Sequence, residues 1–241
     1  MPGLVAEGVN AGYGSLQVLF DVDMEAREGE ITVIVGPNGS GKSTMLKTIF
    51  RLTTLYSGKI AFNGIDLTKL RPHEVARVGI AYLSQVDNVF PHLTVRENLL
   101  MASYTVPKSE AESRIDEVLE SFPLLKRYLN NKAMKLSGGE RQMLAIAMAL
   151  IRQPKLMMFD EPTANLAPKI ATEILSRIVQ LRDTYDMTIV LVEQNAKRAL
   201  EIGDSAYLFV AGRPIFSGSA HELLNHPDFG KLYLGIYTPT S

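Results

Sequence analysis

Two short stretches carry side chains whose types and spacing could do phosphate chemistry. The first is "GPNGSGKST", which satisfies the pattern GxxxxGK[ST] from Gly36 to Ser43. Glycines 36, 39 and 41 open backbone conformations closed to other residues, so that N–H groups can turn inward around phosphate oxygens. Lys42 supplies a point charge to the outer phosphates of a nucleotide and Ser43 a hydroxyl to magnesium. The whole run of Gly36, Pro37, Asn38, Gly39, Ser40, Gly41, Lys42, Ser43 and Thr44 is the candidate cradle. The second stretch is "KLMMFDEP", Lys155 to Pro162, in which Asp160 is suited to hold magnesium and Glu161 to polarise an attacking water as a general base. The blander reading is an acidic pair capping a helix that opens at Pro162 and Thr163, yet a cap alone would not need a buried strand feeding it.

The elements that must position these groups are legible around them. "ITVIVG" (Ile31 to Gly36) is a β-branched run of the kind buried on both faces of a sheet, and "MLKTIFRL" after the loop has a helical pattern. Leu156 to Phe159 form a second buried strand whose carboxyl end delivers Asp160 and Glu161, where ligands bind in open α/β sheets. Further parallel strands are expected at Ile80 and Thr188, antiparallel strands over residues 1 to about 30, and a hairpin with a short helix near the end of the chain. Ser109 to Phe122 places Ile115, Val118, Leu119 and Phe122 on one helical stripe.

The 241 residues are 46% apolar, enough for a proper core, and 25 basic against 26 acidic residues leave a net charge of −1, without a basic field for nucleic acid. Absence of cysteine excludes disulfides, thiol catalysis and Cys-ligated zinc. "MPGLVAEGVN" reads without a signal peptide, and the longest apolar run, Met143 to Ile151, falls short of the roughly 20 residues a bilayer needs. Histidines 73, 92, 221 and 226 lie outside the motifs and read as surface or helix-end residues, and Phe90 reads as packing.

Between the two phosphate motifs stands "KLSGGERQMLAIAMAL", Lys135 to Leu150. Its LSGGE closely resembles the signature of ABC ATPases, and the order of GPNGSGKST, LSGGE and LMMFDE agrees over essentially the whole chain. The implied fold is α/β: a P-loop NTPase (RecA-like) core with a parallel sheet, an N-terminal antiparallel β subdomain and an inserted α-helical subdomain. That makes residues 1–241 one nucleotide-binding domain, with a core lobe of 1–85 and 154–241 and a helical lobe of 86–153. Ser137, Gly138 and Gly139 open a helix and form a second anion site. In the family that site covers the γ-phosphate held by another subunit, so two ATP molecules lie in a dimer. Glu140 replaces the common Gln at a position expected to lie away from the Ser and Gly contacts. The resemblance further makes Gln85 in "GIAYLSQ" a residue that touches magnesium or water and senses the membrane partner, and Tyr13 in "AGYG" the aromatic that stacks on adenine. "NVFPHLTVRENLLM" resembles the segment that opens the helical lobe and helps form a groove for the permease.

Two departures narrow the branch. Most members have a histidine where Gln194 stands in "LVEQNAKRAL", and an aspartate after the second motif where this chain has Ala167 and Pro168 in "TANLAP". With "VEQNA" and the ending "LYLG", these resemble the ATPases of branched-chain amino acid importers, of the type lacking the histidine. The implied protein hydrolyses ATP with Mg2+ on the cytoplasmic side of the membrane, peripherally, with permease subunits, a second ABC ATPase and, indirectly, a substrate-binding protein. Gln194 should reach the γ-phosphate, the alternative being a cap for the helix beginning at Asn195. A urea or amide importer would look alike. A nontransport ABC ATPase of DNA repair or translation predicts a coiled-coil insertion, second cassette or basic patch, none of which is visible, and a P-loop kinase leaves LSGGE unexplained.

Overall fold

The computed structural model of the protein describes residues 2–86 and 88–236. Its first two strands, β1 (Pro2–Tyr13) and β2 (Leu16–Arg27), form an antiparallel hairpin. β3 (Ile31–Val35) then runs into the glycine-rich loop and α1 (Lys42–Ile49). The chain next makes a second hairpin, β4 (Thr54–Phe62) with β5 (Ile65–Asp66), which joins the first in a sheet of order β2-β1-β4-β5. This hairpin escaped the reading of the sequence, although "NG" marks its turn: Asn63 and Gly64 both have positive φ, 48° and 77°, the geometry two-residue hairpin turns require.

After α2 (Pro72–Arg77) and β6 (Ile80–Leu83) come the helices α3 (Val95–Ala102), α4 (Lys108–Ser121), α5 (Pro123–Lys126) and α6 (Gly138–Leu150). On α4 the expected stripe is the buried one: Ile115, Val118 and Leu119 pack inward, and Phe122 follows at the helix end. Phe90, by contrast, is 47% exposed rather than packed. Among the described residues no helix is long and apolar enough to cross a membrane.

The chain returns through β7 (Leu156–Asp160), α7 (Pro168–Tyr185), β8 (Thr188–Val192), α8 (Ala196–Leu200), β9 (Ser205–Val210), β10 (Arg213–Ser219), α9 (Ala220–Leu224) and α10 (Phe229–Tyr233). The larger sheet has the order β10-β9-β3-β8-β7-β6 and is parallel except for its β9/β10 edge. The expected tail hairpin is therefore more than an appendage, since β9 lies parallel beside β3. The helix expected to open at Pro162 and Thr163 begins only at Pro168, behind a run of turns; proline at the first helical position has no N–H to lose there.

β3, β7 and β8 are buried at every residue because they feed two cores. Their side chains alternate across the sheet. Val33, Met157, Phe159, Ile189 and Leu191 pack with the helices α3, α4 and α6. Ile34, Leu156, Met158, Val190 and Val192 pack with α1 and the antiparallel sheet. The continuous apolar runs are thus dictated by a sheet covered on both sides.

Gly212, in the β9–β10 turn, stitches this arrangement to the phosphate loop. Its N–H donates to the Ser40 carbonyl at 3.0 Å, and its own carbonyl accepts from the Phe20 N–H at 3.0 Å. Its φ is 78°, and a Cβ there would overlap the Val18 carbonyl. Gly212→Ala is expected to lower unfolding stability by about 3 kcal/mol, read as a reduced urea midpoint without nucleotide.

Candidate nucleotide site

The loops after β3, β6, β7 and β8 emerge at the carboxyl ends of neighbouring parallel strands, so residues distant in sequence meet there. Lys42 is 4% exposed, and its Nζ donates to the carbonyls of Gly36 at 2.9 Å and Pro37 at 3.0 Å. Burial pushes the Lys42 ammonium down from its ordinary range, opposed by the charges of Glu161 and Asp160. Gly36, at φ 149°, lies so close to β9 that a Cβ would overlap the Phe209 carbonyl, and Gly41 precedes α1 at φ 100°. Ser40 is buried and its Oγ has no protein partner.

Ser43 Oγ donates to Asp160 Oδ1 at 2.7 Å, while the Tyr82 hydroxyl donates to Asp160 Oδ2 at 3.0 Å. Tyr82 was not anticipated; it lies on β6, one strand over from Asp160 on β7, and burial, then the Asp160 charge, pushes its phenol up. Glu161 follows at a left-handed φ of 49°, an uncommon conformation for glutamate, with its N–H bonded to the Val192 carbonyl at 2.9 Å. Gln85 Nε2 reaches Glu161 Oε2 at 3.4 Å. Gln194 Nε2 lies 3.5 Å from Asn38 Oδ1 in the phosphate loop. Gln194 is not the helix cap: Asn195 is, its side chain accepting from the Arg198 N–H.

A cleft of about 540 Å³ results, lined by Asn38, Lys42, Ser43, Gln85, Glu161 and Gln194 among others. Another cavity of about 450 Å³, lined by Phe62, Arg114, Tyr185 and Met187, lies at the opposite ends of the strands and shares none of these groups. The donor set of the cleft fits a magnesium nucleotide. Ser43 and Asp160 offer hard oxygens of the kind magnesium prefers, which takes one or two carboxylates beside phosphate oxygens and water. Among the described residues no group of three or more His, Asp and Glu side chains gathers into a metal cage. Tyr13, at the β1–β2 turn, is 44% exposed and does not line the cleft.

Ser137, Gly138 and Gly139 do not line it either. Ser137 caps α6: its Oγ accepts from the Glu140 N–H at 3.3 Å, and Glu140 Oε2 accepts from the Ser137 N–H at 2.7 Å. Glu140 therefore touches the signature serine directly, contrary to the expectation that it lies away; its spacing of three from Ser137 is the capping-box signal. That backbone hydrogen bond holds its carboxyl below the ordinary glutamate range.

Glu193, next to Gln194, was not anticipated either. It is 2% exposed, and its Oε1 accepts from the Thr163 N–H at 3.1 Å, clamping the turn after β7 to the end of β8.

A phosphate loop on a parallel sheet, with carboxylates at the next strand ends, defines a P-loop nucleotide-binding protein. Residues 19–164 match the family described as ABC transporter. The chain is 56% identical over 228 residues to the probable branched-chain amino acid transport ATP-binding protein LivF of Archaeoglobus fulgidus, spanning 95% of this chain and 97% of the relative. It is 41% identical over 227 residues to the high-affinity branched-chain amino acid transport ATP-binding protein BraG of Pseudomonas aeruginosa, spanning 94% and 97%. It superposes on the crystal structure of the ADP conformation of an ATP-binding cassette of an ABC transporter with a TM-score of 0.87 at 27% identity, covering 98% of this chain and 99% of that one. The chain belongs to the ABC transporter family, as one of its ATPases.

Burial pushes the Glu193 carboxyl up, partly offset by its hydrogen bonds to Thr163, so the folded protein holds this proton more tightly than the unfolded chain. Its contribution to stability is full below the ordinary glutamate pKa and is lost as pH rises through the raised folded value. Glu193→Gln, which keeps an acceptor for Thr163, is expected to remove that slope and to be the more stable form above the window, in urea melts across pH.

Proposed function

We propose that this ATPase is the subunit that energises a membrane importer of branched-chain or other hydrophobic amino acids, bound peripherally on the cytoplasmic side of the membrane. The observation that carries the reaction is the convergence of Lys42, Ser43, Gln85, Glu161 and Gln194 around one cleft, with Asp160 hydrogen-bonded to Ser43 behind it. The amino acid class rests on the names of the two relatives, which are similar over nearly the whole chain.

In this reading residues 36–44 cradle the phosphates and Lys42 neutralises the outer ones. Tyr13 stacks on the adenine. Magnesium bound with the nucleotide would supply charge neutralisation, and Ser43, Asp160 and Gln85 would hold it. Glu161 accepts a proton from the attacking water, with Gln85 orienting its carboxylate. Gln194 donates a hydrogen bond at the edge of the γ-phosphate but carries no titrating proton. Ser137, Gly138 and Gly139, at the start of α6, serve the cleft of a second ABC ATPase subunit. The helical lobe, residues 86–153, meets the permease, and the core lobe, residues 1–85 and 154–241, binds nucleotide.

Glu161→Gln is expected to bind ATP normally and hydrolyse it about 100-fold more slowly or worse, whereas Lys42→Ala loses binding itself. Steady-state phosphate release and ATP titration on both variants separate these roles, and unchanged turnover in Glu161→Gln removes the general base. ATP-dependent dimerisation of the Glu161→Gln protein with its partner subunit, seen by light scattering, tests the sandwich.

For Gln194, replacement by His in the assembled transporter is expected to make hydrolysis vary with pH near 6.5, the ordinary histidine range. A flat profile, with Gln194→Ala matching wild type, removes it from the γ-phosphate site.

A further inference from the structure

The last described helix reaches back into the nucleotide site. α10 buries Leu232 against the main core and sets the Phe229 and Tyr233 rings 5.8 Å apart. From there the Tyr233 hydroxyl stands 3.0 Å from the Gly36 carbonyl and 3.3 Å from the Gln194 carbonyl. One O–H is thus shared between the start of the phosphate loop and the corner after β8.

Both carbonyls also have a second donor. Gly36 accepts from Lys42 Nζ at 2.9 Å, and Gln194 accepts from the Ala196 N–H at 3.0 Å. The two donors differ in what phosphate does to them. The Ala196 N–H is fixed by the chain, but Lys42 is the cation that a phosphate draws toward itself. Once the ammonium turns to a phosphate oxygen, the buried Gly36 carbonyl keeps only Tyr233, and a buried acceptor left without a donor is costly.

We propose that Tyr233 is a positioning residue for nucleotide binding, whose hydroxyl takes over the Gly36 carbonyl as Lys42 engages phosphate and holds that loop against the Gln194 corner. This rests on the phosphate-site reading above. It makes the C-terminal helix part of a nucleotide site built 197 residues earlier in the chain.

The test is Tyr233→Phe in the full chain, with Tyr233→Leu beside it to remove the ring as well. ADP and a non-hydrolysable ATP analogue are titrated calorimetrically, and melting is followed with and without them. Tyr233→Phe is expected to weaken nucleotide affinity about three- to tenfold. Its nucleotide-free melting temperature should stay within about 2 °C of wild type, because both carbonyls retain a donor there. Nucleotide should then stabilise the variant less than wild type. Wild-type affinity in Tyr233→Phe with a loss only in Tyr233→Leu makes the ring mere packing and overturns the assignment. A fall in nucleotide-free melting as large as the fall in binding also overturns it. Failure of the wild type to bind nucleotide overturns the phosphate-site reading itself, and this assignment with it.

Discussion

A loop that offers its N–H groups to an anion has to be held by its carbonyls. That constraint organises much of the molecule. The Gly36 carbonyl is held by Lys42 and Tyr233, that of Pro37 by Lys42 and the Ser40 N–H, and that of Ser40 by Gly212. The supports come from α1, from the C-terminal helix and from the β9–β10 turn, so the loop's shape is set by three separate parts of the chain. Positive φ at Gly36, Gly39 and Gly41 supplies the curvature; the anchoring carbonyls keep it from relaxing.

The carboxylates are held by the same logic one and two strands away. Asp160 is held on both oxygens, by Ser43 and Tyr82. Glu161 pays for its left-handed backbone through the hydrogen bond of its N–H to Val192, and Glu193 secures the following turn through Thr163. The two acids at the ends of β7 and β8 therefore divide the labour: one faces the cleft with Gln85 beside it, the other is buried to hold the turn.

What could be read in the sequence was what repeats locally. The phosphate loop, the buried strands at Ile31, Leu156 and Thr188, and the stripe on α4 each announce themselves within about ten residues, through glycine spacing or hydrophobic period. Tyr82, Tyr233 and Glu193 did not, because their roles depend on which strand lies beside which. A tyrosine on an apolar strand looks like packing until the next strand presents Asp160. Glu140 differs, since its capping partner Ser137 is three residues away and the pair forms an ordinary helix-start pattern inside the signature. Gln194 shows the reverse, since a local reading offered it as a cap and the neighbouring Asn195 fills that place.

The strand order also sets a timetable for synthesis. The antiparallel sheet is complete once residue 66 is made, all four of its strands lying before that point. β3 carries the phosphate loop from residue 31 onward, yet both of its neighbours, β8 and β9, lie beyond residue 187. A chain emerging from the ribosome thus holds an apolar strand unpaired while more than half of the protein is still being added. The nucleotide loop is among the first features to be translated and must be among the last to take its shape, so chaperone demand should fall on this central strand rather than on the N-terminal sheet around it.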